Sequence, residues 1–131
     1  MNSRTRTAFL ILIAVQAAHS VEEYVFRLYD VFIPARYISS FFSDDLSTGF
    51  AIVNIAIVLF GLWCYTARVR PNHPAARGLV WMWIVIEGGN GVGHVVLAVV
   101  RGGYFPGAIT APILLAISVY LAIRMFGLSS T

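Results

Sequence analysis

Four apolar stretches of this chain, 7–26, 48–67, 79–100 and 109–126, read as helices that cross a bilayer, the second and third cleanly and the fourth a little short. A helical span takes about 20 residues, with a range of about 17–25. Hydrocarbon offers backbone amides no water, so such stretches must satisfy their hydrogen bonds internally. Hydrophobic residues make up 59 % of the 131 residues and charged residues only 11 %. A soluble domain carries about 25 % charged residues, so this chain cannot clothe a soluble surface. A soluble globular domain and a disordered chain are therefore excluded. A single cysteine, Cys64, excludes a disulfide scaffold and reads as a packing or lipid-facing residue. The predicted fold is all-α: a polytopic membrane protein whose single domain, 1–131, is a bundle of four transmembrane helices.

The first stretch needs an argument of its own. Its clean apolar part, 8–18, is too short to span, so the helix must continue through His19, Glu22 and Glu23 to Phe26. The alternative is a signal peptide started by Arg4 and Arg6 and cut after Ala18. Gln16 then occupies a position that wants a small residue, which argues against it. Pro112 falls in the first turn of the fourth span, where proline is tolerated.

All nine basic residues are arginines, and the net charge is +3. A basic chain can point to nucleic acid, but these arginines are scattered between apolar runs and report topology instead. Arg4, Arg6, Arg68, Arg70, Arg77 and Arg124 fall at one end of the bundle; Arg27, Arg36 and Arg101 fall at the other. By the positive-inside rule the richer end is cytoplasmic. Both termini are then expected inside, in a plasma (inner) membrane, with Trp81 and Trp83 in the inner aromatic belt. The link 28–47, rich in Tyr and Phe, is read as an interfacial outer connector, with a lid over an outward-opening site as the functional alternative. The turn from Arg70 to Pro74 leaves His73 solvated.

Inside these apolar stretches sit groups that do not belong in lipid: His19, Glu22, Glu23, Glu87 and His94, with Asn54 and Asn90. Each ionisable one costs about 2.5–3.5 kcal/mol at the centre of an inserted helix. His19, Glu22 and Glu23 stand at i, i+3 and i+4; Glu87, Asn90 and His94 at i, i+3 and i+7. Each set is expected on one helix face. At about 1.5 Å per residue, His19 and Asn54 lie roughly 18 and 20 Å above the cytoplasmic end, and Glu87 and His94 roughly 12 and 23 Å. Three helices thus bring polar groups to overlapping depth, which predicts one site. Gly89 and Gly93 form a small-xxx-small pair suited to close helix approach. Ser118 and Tyr120 read as core packing.

His19-Ser20-Val21-Glu22-Glu23 reads H-x-x-E-E. This resembles the HXXEE-domain family, small multi-span membrane proteins named for that motif. The resemblance maps onto His19, Glu22 and Glu23. It implies a polytopic membrane protein and no particular reaction.

Several chemistries suit the cluster. The first is a divalent metal, zinc or alternatively iron or manganese, held by His19 and Glu23 with His94 or Glu87. Glu22 would act as general base, and Asn54 and Asn90 would support the ligands. The arrangement is similar to the inverted zincin motif, with Glu23 replacing its second His. A membrane-embedded hydrolase or oxidoreductase on a lipophilic substrate follows. The second is a metal-free acid–base isomerase or cyclase of a lipid, sterol or terpene, using His19, Glu22 and Glu23. The third is ion or proton transport, for which four helices would need an oligomer. A purely structural role is the fourth, although interhelical bonds worth about 0.6–2 kcal/mol do not readily offset five ionisable groups. The expected partners are the bilayer and a lipophilic small molecule, and no nucleic acid.

Overall fold

A computed structural model describes residues 1–127, and all of its regular structure is helical. Helix α1 (Ser3–Val25) runs unbroken through the polar stretch and ends where Arg27 turns left-handed, at φ 57°. Two short helices, α2 (Leu28–Val31) and α3 (Ile33–Ser40), occupy the aromatic link. Helix α4 (Leu46–Cys64) starts at an Asp45 cap and loosens into a π-helical turn, Tyr65–Val69. Helix α5 (Ala76–Arg101) is the longest, and Gly102, at φ 68°, ends it. A glycine-rich turn, 102–110, leads into α6 (Ala111–Gly127). The helices α1, α4 with its π turn, and α5 are long and apolar enough to cross a membrane; α6 is a shorter apolar helix.

The four long helices alternate in direction. The Met1 amine donates to Asn72 Oδ1 at 2.8 Å, and the Arg77 guanidinium donates to the Met125 carbonyl. One end of the bundle therefore gathers the chain start, the 70–77 turn and the end of α6. The opposite end holds α2, α3 and the 102–110 turn.

The interior is layered. An apolar cluster fills the half nearer the chain start, built on Phe9, Leu12, Ile13, Trp83, Leu114 and Leu121. A smaller one at the other end joins Leu28, Tyr29, Phe50 and Phe105. Between them lies a buried polar layer that includes Gln16, His19, Glu23, Glu87 and His94. Valines 85, 96, 99 and 100 point outward with Ile55 and Ile123. Buried polarity inside an apolar exterior is what a lipid solvent demands.

Three sequence expectations change. Trp83 is no belt residue: it is 2 % exposed, with Phe9 edge-on to its ring, because its position on α5 faces the bundle axis. Tyr120 is not in the core but faces outward, while Ser118 is buried. Close approach of α5 to α6 is carried by Gly91, where a Cβ would meet the Ala111 carbonyl oxygen at 2.9 Å. Gly89 and Gly93 face open space.

Helices α4 and α5 barely touch along most of their length. The gap between them is a cavity of about 410 Å³, floored by α1, walled by α4 and α5, and closed at one end by α3.

Candidate metal centre

The centre is built from α1, α5 and the 102–110 turn. On α1, His19 and Glu23 are one turn apart, so their side chains stack on one face. His94 reaches them from α5. His19 Nε2 lies 3.2 Å from Glu23 Oε1, and His94 Nε2 lies 2.9 Å from the same oxygen. One ligand atom from each residue lies within 4.8 Å of the others, and all three residues are buried. The two imidazoles meet edge to face, ring centroids 4.7 Å apart.

The outer nitrogens determine what the inner ones offer. His94 Nδ1 is 2.7 Å from the Pro106 carbonyl, which can only accept, so Nδ1 carries the proton. His19 Nδ1 is 2.6 Å from Thr110 Oγ1. That hydroxyl donates its one proton to Glu22 Oε2 at 2.5 Å, so His19 Nδ1–H donates to Thr110. A neutral ring held this way presents a bare Nε2 lone pair to Glu23, and a protonated one donates Nε2–H to it; in either state two imidazole nitrogens and a carboxylate oxygen converge on one buried point. His19 Nε2 is wholly buried and has no hydrogen-bond partner, despite its proximity to Glu23.

Glu22 has other work. Its Oε1 accepts from the Tyr104 hydroxyl at 2.6 Å and from the Ile109 amide at 3.0 Å. Its Oε2 accepts from both the amide and the hydroxyl of Thr110. Both oxygens are committed to the turn ahead of α6, where an anion also suits the helix start. Burial, and then the Glu22 carboxylate it donates to, push the Tyr104 hydroxyl up to about 12. Gly107, at φ 94°, closes the centre from above: a Cβ there would sit 2.6 Å from His94 Nδ1 and 2.7 Å from His19 Cε1.

The other polar residues stand beside the centre. Glu87 lies outside the three-residue group, in the cavity wall, and accepts a 3.4 Å bond from Asn90 Nδ2. Asn54 donates to the Phe50 carbonyl and accepts from Ser20 Oγ, which joins α4 to α1. Cys64 is fully buried in the apolar cluster, and His73 lies exposed in its turn.

Sequence reasoning missed Thr110, Tyr104, Pro106 and Gly107. Thr110 carries a local signal, since Thr followed by Ala111-Pro112 is a helix-start pattern. Pro106 and Gly107 contribute through a carbonyl and a missing side chain, which no residue pattern announces.

Residues 10–121 match the family described as "Protein of unknown function with HXXEE motif". No curated protein and no solved structure matches the chain.

Proposed function

The chain belongs to the HXXEE family, and from that premise we propose that His19, Glu23 and His94 hold a divalent metal ion inside the membrane. The observation that carries this is the convergence of three lone-pair donors on one buried point, with both histidines fixed by their outer hydrogen bonds. With both rings neutral the three acceptors cannot satisfy one another, and a divalent cation satisfies all of them. In a tetrahedral zinc site with bonds of about 2.0–2.1 Å, ligand atoms sit roughly 3.3 Å apart. The observed 3.2 and 2.9 Å from Glu23 are near that spacing, and the three ligand atoms, spread within 4.8 Å, would draw together around an ion. Two His and one Glu are a ligand set of catalytic zinc, which keeps one position open. Here the cavity is beside the set, since Glu23 and His94 both line it.

The reading is therefore a membrane-embedded, metal-dependent enzyme, hydrolase or oxidoreductase, acting on a lipophilic substrate. When bound, the metal supplies Lewis acidity. Thr110 and Pro106 hold the imidazoles in the ligating tautomer, and Glu22 holds Thr110. Glu87 and Asn90 face the cavity from α5. On this reading the end with the 70–77 turn faces the cytoplasm of a plasma membrane, and the arginine asymmetry supports that orientation.

Cobalt substitution tests the proposal. Purified protein given Co²⁺ is expected to develop the intense visible bands of a low-symmetry, four- or five-coordinate site, lost in His94→Ala and in Glu23→Gln. No such bands in the wild-type protein would overturn it. A second reading rests on the 2.9 Å His94–Glu23 contact, which is hydrogen-bond length once His94 is protonated. That pair would serve metal-free acid–base chemistry, an isomerase or cyclase of a lipid, sterol or terpene. Such an enzyme would keep its activity in chelator and lose it in Glu23→Gln.

A further inference from the structure

The cavity wall beside the centre carries polar groups that the metal reading does not use, and their hydrogen-bonding sense selects a ligand. Asn54 Nδ2 donates to the Phe50 carbonyl, so its Oδ1 faces Ser20. Ser20 Oγ donates to that oxygen and so must accept from Gln16 Nε2, at 3.2 Å. The chain of bonds fixes the Gln16 amide and leaves its Oε1 buried without a partner. Gln16 is 3 % exposed and lines the cavity. Glu87, 1 % exposed, lines it too, and among the described residues its one hydrogen bond is the long one from Asn90. Both groups are under-satisfied acceptors, and Trp83 Nε1–H in the same lining is a buried donor without a partner, so the missing partner is a group that both donates and accepts, as a hydroxyl does.

Charge narrows the class. The lining holds two carboxylates, Glu23 and Glu87, and no arginine; the chain has no lysine. With Glu87 ionised, a divalent ion at the centre is balanced by Glu23 and Glu87 together, so an anionic or a cationic headgroup would each leave an unbalanced charge in the buried cleft. Most of the rest of the wall is apolar, including Ile57, Phe60, Met82 and Ile86. Phe60 and Ile86 are each about half exposed, in the gap between α4 and α5. A cavity of about 410 Å³ falls within the roughly 300–1,000 Å³ of small-ligand pockets.

We infer that the cleft takes an uncharged lipid-soluble alcohol, which enters from the bilayer between α4 and α5 and donates its hydroxyl to Glu87 and Gln16. The inference rests on the proposal that the cavity serves the metal centre, and it names the substrate class. Trp83 lines the cavity and reports on it. In a Trp63→Phe, Trp81→Phe background, ω-bromododecanol is expected to quench Trp83 at least about tenfold more tightly than ω-bromododecanoate or the matching ammonium. Gln16→Leu is expected to weaken alcohol binding by about threefold to tenfold, the loss of one hydrogen bond. Glu87→Gln should narrow the gap between alcohol and carboxylate. Equal or tighter binding of the carboxylate or of the ammonium by the unaltered cleft overturns the inference, as does absence of quenching by the alcohol; neither needs a substitution at Gln16 or Glu87 to fold. Cobalt bands recorded on the same samples separate the two claims. Bands with no alcohol preference sink the ligand class alone, and alcohol preference without bands sinks the metal alone.

Discussion

Glu22 and Glu23 are neighbours in sequence and have separate tasks because consecutive helical residues point about 100° apart. Glu23 turns to His94, and Glu22 turns to the 102–110 turn. The H-x-x-E-E spacing made the His19–Glu23 pair legible, since i and i+4 contact is local helix geometry. It did not make the task of Glu22 legible, because its partners come from 82 to 88 residues away. Gly107 gives the sharpest single-residue test. Ala there would press a methyl into both imidazoles and strain a backbone at φ 94°. Gly107→Ala is expected to weaken Co²⁺ binding by about tenfold to a hundredfold, the range of lost outer-shell support. Affinity within twofold of wild type would show that the turn does not position the histidines. Tyr104 gives a test in pH. Its neutral form is favoured by folding, its ionisation being raised from 10.0 to about 12. Its contribution is present below about pH 10 and is lost as pH rises towards 12. Ultraviolet titration of Tyr104→Phe should lose a late tyrosinate component near 12; loss of an ordinary component near 10 instead would mean that Tyr104 is not held by Glu22.

At the scale of elements, the spans were legible from apolar length, and their polar layer from depth arithmetic. The face each helix turns to its neighbour was not. The glycine run 88–93 allows several small-residue faces, and nothing local says which one meets α6. The structure selects Gly91, seated against Ala111 and Leu115. Gly91→Ala is expected to cost about 1–3 kcal/mol through overpacking. Gly89→Ala, in open space, should be neutral or stabilise by up to about 1 kcal/mol through helix propensity. Unfolding in denaturing detergent compares the two; equal effects would contradict the α5–α6 register. The aromatic link was legible as a segment at one end of the bundle. That α3 closes one end of the cleft was not, because it depends on Gly49, where a Cβ would meet the Ser39 carbonyl oxygen at 2.1 Å.

The whole molecule is a bundle turned inside out, with a layer of buried polar residues in the middle and valines 85, 96, 99 and 100 on the surface. Its orientation is proposed from six arginines against three. In a Cys64→Ala background, Phe42→Cys should react with an impermeant maleimide in whole cells. His73→Cys should react only after lysis; the reverse pattern would invert the protein in the membrane. The central claim is the metal. Elemental analysis of detergent-purified protein, beside His19→Ala and His94→Ala, tests it most directly. The account predicts close to one divalent ion per chain in the wild type and loss of that ion in both variants. A wild-type protein that stays metal-free after incubation with Zn²⁺, Fe²⁺ and Mn²⁺, or variants that keep the ion, would contradict it.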